Sequence, residues 1–184
     1  IDGVYSDHVD RMTDALARCD VPVLLLSGWQ DLFLEQTIGQ FQHLHRRGVD
    51  VAMTIGPWTH SEMMTKAVGM ATRETLAWLS AHLAKGPAPS RPGRVRVYVA
   101  NHGWIDLPDW PPATGEGVLY LQPGRRIAAT APPADAAPST FRYDPAQPTP
   151  TVGGRLLSPQ SGYKSDDQLV ERDDVLSFTS GPLD

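Results

Sequence analysis

Two apolar runs, residues 21–26 and 49–55, constrain this 184-residue chain more than anything else in it. Each is strand-length and rich in Val, Leu or Ile. Each breaks into a glycine-aromatic motif: Gly28-Trp29-Gln30-Asp31 after the first, Gly56-Pro57-Trp58-Thr59-His60 after the second. Between them lies one helix-length segment. Strand, helix, strand predicts a right-handed crossover and a parallel pair. The near-continuous apolar character suits strands covered on both faces. Both motifs then fall at the carboxyl ends of neighbouring strands, where open α/β sheets bind their ligands.

The pattern extends on either side. Ser6 is placed to cap a helix over about 7–19, with Val9, Met12, Leu16 and Cys19 at helical spacing. Strands are predicted at about 22–27 and 49–55. A helix over about 33–47 carries Leu34, Ile38, Phe41 and either Leu44 or His45 on one face, and Gly48 follows as the C′ residue. A helix over about 71–84 turns Thr75, Trp78, Leu79, His82 and Leu83 inward. Pro and Gly then cluster in 86–93, and no long helical period follows. Val95, Val97 and Val99 alternate with Arg94, Arg96 and Tyr98, which marks a strand; further strands are read at 118–121 and 174–179. The expected division is an α/β part over 1–87, a linker over 88–93 and a β-rich, sandwich-like part over 94–184.

Composition excludes several classes. The net charge of −5 shows no basic cluster, which argues against nucleic acid, whose binding needs a positive patch. No run of 18 apolar residues exists, so no membrane span is expected. The single cysteine, Cys19, has no intrachain partner for a disulfide and reads as a small apolar residue near a helix end. The N-terminus, Ile1-Asp2-Gly3-Val4-Tyr5, carries no signal-peptide pattern. It leaves the compartment unread, with cytoplasmic as the default. His43 and His45, two apart on a helix, face different ways. A metal site needs three or four ligands, and none is read here. No cofactor is implied.

The chemistry lies with Asp31 and His60. A histidine base must reach a nucleophile's proton while an acid holds its other nitrogen in one tautomer. Residues on adjacent strand-end loops can meet in that way. The plainer reading is a surface histidine after a Pro-Trp turn, with Asp31 elsewhere. Trp29, Phe33 and Trp58 flank the two, either lining a substrate pocket or shielding the pair from water. Trp104 and Trp110 belong to a ligand-stacking surface or to a packed interface. A nucleophile elbow reads Gly-x-Ser-x-Gly, and none of the eleven serines has glycine at both −2 and +2. Ser27, four residues before Asp31, reads as a packed strand residue.

The string Val-Pro-Val-Leu-Leu-Leu-Ser-Gly-Trp-Gln-Asp, with Gly-Pro-Trp-Thr-His after it, resembles the acid and histidine segments of the cocaine esterase and X-Pro dipeptidyl-peptidase family of serine hydrolases. The later half is similar to that family's jelly-roll. The resemblance there lies in Arg94-Val95-Arg96-Val97-Tyr98-Val99 with Trp104 and Trp110-Pro111, in Tyr143-Asp144-Pro145 through Gly153-Gly154, and in Arg172-Asp173-Asp174 through Ser180. It implies the later part of an α/β-hydrolase domain joined to a partial jelly-roll β-sandwich. It also implies Asp31 as triad acid, His60 as general base, Trp29 and Phe33 near the acyl pocket, and a small acyl ester or peptide as substrate.

The nucleophile and oxyanion donors would lie upstream of this chain. The chain therefore reads as an internal piece of a longer hydrolase, or as one partner of a split one. It is expected to form a homo-oligomer or a complex with the N-terminal portion. Two rivals stay open: a non-catalytic β-sandwich interaction module, and a degenerate hydrolase fragment with a structural role. Under the first, Asp31 and His60 need not be close.

Overall fold

The computed structural model describes residues 14–84, 86–87 and 91–182. Residues 14–17 are helical; the rest of the helix expected up to residue 13 lies outside the described residues. The chain divides into two units. One runs to Pro112 and takes in Gly154–Gly162; the other comprises Ala113–Gly153 and the residues from Tyr163 onward.

The first unit is built on a four-stranded sheet of β1 (Val23–Gln30), β2 (Val51–Thr59), β3 (Val95–Val99) and β4 (Gly103–Leu107), in that spatial order. β1 and β2 are parallel, as are β2 and β3, while β4 is antiparallel to β3. The register Val23↔Val51 holds through Gly28↔Gly56. β2 is the central strand, and Val51, Met53, Thr54 and Ile55 have no exposure at all. Side chains alternate across a strand. Val51, Met53 and Ile55 therefore share one face, and with Val95 and Val97 they pack against Leu34, Phe41 and Leu44 of α1 (Leu34–Arg46). Gly48, just past α1, has φ +77°, the left-handed conformation expected of a C′ glycine.

The opposite face of β2 presents Ala52 and Thr54, too small and polar to bind an apolar helix. What packs there is ionic. Glu74, on α3 (Val68–Leu83), accepts from the Thr54 hydroxyl, from Arg91 at 2.8 Å and from Arg96 at 2.9 Å. Arg96 also pairs with Asp106 at 2.9 Å, and that hydrogen bond holds its guanidinium proton more firmly than usual. Burial pulls the Arg91 guanidinium the other way. Of the Thr75, Trp78, Leu79, His82 and Leu83 expected to face inward on α3, Trp78 does so, while Thr75, Leu79 and Leu83 do not. Trp78 is its buried residue, and Leu79 and Leu83 are exposed. An acid that faces inward was not read as core, so the predicted face was rotated.

The sheet also reassigns residues 94–112. The alternation over 95–99 does mark a strand, but that strand pairs with β2 and belongs to the first unit. Val95 and Val97 present an apolar face, and the open edge of β2 is where it can be buried. The observed division therefore falls after Pro112, rather than at 88–93.

In the second unit, β5 (Tyr120–Gln122) and β6 (Arg126–Ala128) form an antiparallel hairpin. Gly124 and Arg125 turn it in the left-handed conformation. The strand expected over 174–179 does not form. Only Thr179 finds a ladder partner, donating to the Arg125 carbonyl and accepting from Ile127. Residue 174 serves a different contact: Arg172 and the Thr149 hydroxyl hold the Asp174 carboxyl far below the usual carboxylate range. No helix among the described residues is long and apolar enough to cross a membrane.

Candidate active site at the carboxyl edge of the sheet

β1 and β2 end unequally, and that inequality builds the site. After Gly28↔Gly56 the next pair is Gln30↔Thr59, so β2 carries one extra residue across Pro57-Trp58. A bulge suits proline, which cannot donate to a ladder. The two glycines permit it. A Cβ on Gly28 would sit 2.1 Å from the Trp58 carbonyl oxygen, and one on Gly56 would sit 2.2 Å from the Trp58 ring.

The bulge delivers Thr59 as the N-cap of the short helix α2 (His60–Met63). The Thr59 side chain accepts from the Glu62 N–H at 3.3 Å, and the Thr59 N–H donates to the Glu62 carboxylate at 3.0 Å. This capping box fixes the first helical residue, His60. Lys66 bonds the same carboxylate; Lys66 first and the Thr59 N–H second hold Glu62 below its ordinary range. This helix is not among the elements expected from the sequence; the Thr-x-x-Glu spacing at 59–62 is the signal that could have found its start.

Asp31 opens the turn after β1. Its N–H donates to the Gly28 carbonyl at 3.0 Å, and its own carbonyl accepts from the Leu34 N–H at 3.3 Å. The side chain is buried, at 7% exposure, beside a His60 side chain 38% exposed. Oδ1 lies 3.0 Å from His60 Nδ1 and also accepts from the Phe33 N–H at 3.0 Å. Oδ2 accepts from the Ser27 hydroxyl at 3.1 Å. A carboxylate oxygen accepts, so a neutral imidazole in this contact carries its proton on Nδ1 and presents its lone pair at Nε2. Among the described residues Nε2 has no partner. The structure brings together the two residues that spacing singled out, and an imidazole so held can act as a base toward a group placed at Nε2.

The aromatics divide. The exposed Phe33 ring stands edge-on to His60, centroids 5.2 Å apart. Trp29 donates its indole N–H to the Tyr98 carbonyl at 2.6 Å and packs on Trp110 at 6.0 Å. Trp58 packs on Trp104 at 5.6 Å, and Trp104 on Tyr98 at 5.5 Å. Of the three aromatics expected around the dyad, Phe33 alone has His60 as its ring partner. Trp104 and Trp110 act as packing residues.

A further neighbour comes from far along the chain. Residues 154–162 form a loop closed by reciprocal Gly154–Gly162 backbone bonds at 2.8 and 2.9 Å. Arg155 pairs with Glu35 of α1 at 2.9 Å, and Gly162 lies against the Thr59 methyl. Glycines at 153, 154 and 162, all in left-handed conformations, are its only local signal.

Three comparisons bear on this geometry. The family model for X-Pro dipeptidyl-peptidase (S15 family) matches residues 5–62, a span that includes Asp31 and His60. Cocaine esterase from Rhodococcus sp. (strain MB1 Bresler) is 29% identical over 211 residues, taking in 96% of this chain and 36% of the esterase. The crystal structure of an aminopeptidase from the marine sediment archaeon Thaumarchaeota archaeon has a TM-score of 0.71 at 22% identity, over 94% of this chain and 32% of that one; at that identity the likeness is one of fold. The chain thus spans about a third of the length of the relatives it matches.

Proposed function

We propose, from the cocaine esterase and X-Pro dipeptidyl-peptidase family that the model match and the 29% identity support, that this chain supplies the acid and base of a serine hydrolase. Its relatives are hydrolases by name. Within the reading, a serine hydroxyl outside this chain attacks an ester or X-Pro amide carbonyl. His60 Nε2 takes the hydroxyl proton as the acyl-enzyme bond forms, then returns it to the departing alcohol or amine. Asp31 keeps the proton on Nδ1 and stabilises the imidazolium. The observation that carries this is the 3.0 Å Asp31–His60 contact at the carboxyl edge, with Nε2 open.

The same reading takes the second unit as the start of a jelly-roll. It takes Phe33 as the aromatic nearest the acyl group, and a small acyl ester or peptide as substrate. The rival of a non-catalytic module does not need the dyad to be assembled, so the contact favours hydrolysis.

Hydrolysis of a p-nitrophenyl ester and of an X-Pro p-nitroanilide by the hydrolase this segment completes is the test. His60→Ala should lower kcat by about 10⁶-fold with little change in KM; retained turnover would overturn the assignment. The chain alone should take no label from a fluorophosphonate, and an adduct on any of its eleven serines would show that the nucleophile lies here after all.

A further inference from the structure

The Asp31 carboxylate uses its two oxygens unequally. Oδ1 has two donors, the Phe33 N–H and His60 Nδ1–H, each at 3.0 Å. Oδ2 has the Ser27 hydroxyl, at 3.1 Å, as its single donor among the described residues. Rotation about an aspartate Cβ–Cγ bond is broad and roughly two-fold, so the side chain's own torsion does little to hold the carboxylate plane. Burial removes water as a substitute donor. Ser27 has no exposure and Asp31 5%. Ser27 itself cannot drift, because it sits on β1 in register with Ile55, one residue before the tight Gly28–Trp58 approach.

We propose that Ser27 is a positioning residue of the dyad: its hydroxyl pins Asp31 Oδ2, so that Oδ1 stays aimed at His60 Nδ1 and the lone pair stays on Nε2. This rests on the reading of Asp31 and His60 as acid and base. Ser27 does not touch the reacting atoms. Losing its hydroxyl frees the carboxylate to turn, weakens its hold on Nδ1–H and shifts the imidazole toward the tautomer protonated at Nε2, which cannot act as the base.

The experiment uses the full chain. Diethyl pyrocarbonate acylates a neutral imidazole at its lone-pair nitrogen, so its rate at His60, resolved by mass spectrometry against exposed His102, reports the Nε2 lone pair. The low-field proton resonance of His60 Nδ1–H reports the bond to Asp31. Ser27→Ala should slow acylation of His60 by about three- to tenfold, the span of a hydrogen bond's net worth, and should broaden or remove the resonance. Ser27→Cys, similar in size with a weaker donor, should fall between. Where Ser27→Ala does not fold, the Ser27→Cys comparison decides.

Wild-type values in a folded variant would overturn the proposal. Asp31→Asn separates the two layers of argument. If it slows His60 while Ser27→Ala does not, the Ser27 proposal alone is wrong. If it too leaves the rate unchanged, the dyad reading fails with it.

Discussion

Replacing Gly28 with Ala would test how the bulge aims His60. The new Cβ would stand 2.1 Å from the Trp58 carbonyl oxygen and 2.7 Å from its carbon. An ordinary carbon–oxygen contact is about 3.3 Å, so the two backbones must part by roughly 1.2 Å. The neighbour is main chain and cannot rotate aside. Overpacking of this kind costs about 1–3 kcal/mol, which for a chain of this size lowers Tm by roughly 2–12 °C.

The local effect is larger, because Trp58 is two residues before His60 inside the bulge. A shift near 1 Å stretches the 3.0 Å Asp31–His60 contact beyond hydrogen-bonding range. Misplacement of that size costs about 10²-fold in rate. Gly56→Ala is the control. Its Cβ meets the Trp58 ring, a side chain that can swing, so stability should fall with loss of the Trp58–Trp104 packing while His60 keeps its partner. Thermal melts and the His60 Nδ1–H resonance read both variants. A Gly28→Ala protein with wild-type Tm and an intact resonance would refute the argument.

Three further outcomes follow from particular contacts. Glu74→Gln removes the charge facing Arg91, whose side chain is 7% exposed, and should cost about 3–5 kcal/mol in urea unfolding, whereas Glu74→Leu with Arg91→Met should recover most of it; equal loss in both would refute the ionic reading. Glu62 is held below its ordinary 4.5 in the folded state, so its contribution is complete above that value and drains away as pH falls through the depressed one; stability curves of wild type and Glu62→Gln should converge in acid, and parallel curves would contradict this. We also propose that the isolated chain associates: β1 lies at the end of the sheet order, and Leu76, Leu79 and Leu83 are exposed on α3. Light scattering showing a monodisperse 20.1 kDa species would end that expectation.

Local patterns carried much of the fold. The runs that became β1 and β2 are legible because each is strand-length, rich in Val, Leu or Ile and ended by a glycine motif, although β1 lies at the end of the sheet order and one face of β2 meets an ionic cluster. Asp31 and His60 are legible because chain order puts them past neighbouring strands. What escaped depended on distant partners. Glu74 points inward because Arg91, from within the Pro/Gly stretch, and Arg96, from beyond it, arrive to pair with it, and hydropathy cannot rank a neutralised acid as core. Val95 and Val97 show a strand but not which edge it will join. Residues 174–179 have strand composition without a long neighbouring edge to pair with. Ser27 among leucines looks like filler until the carboxylate beside it is in place.

The loop over 154–162 has a consequence for modularity. The chain leaves the first unit after Pro112 and re-enters it at Gly154, where the Gly154–Gly162 clasp and the Arg155–Glu35 pair hold it beside Thr59 and α1. The two units are therefore interlaced in sequence. A graft that exchanges everything after Pro112 as a terminal block also exchanges a piece of the first unit's own fabric next to His60. Recombination between relatives, by evolution or at the bench, is expected to preserve function only where residues 154–162 travel with the strands they clasp.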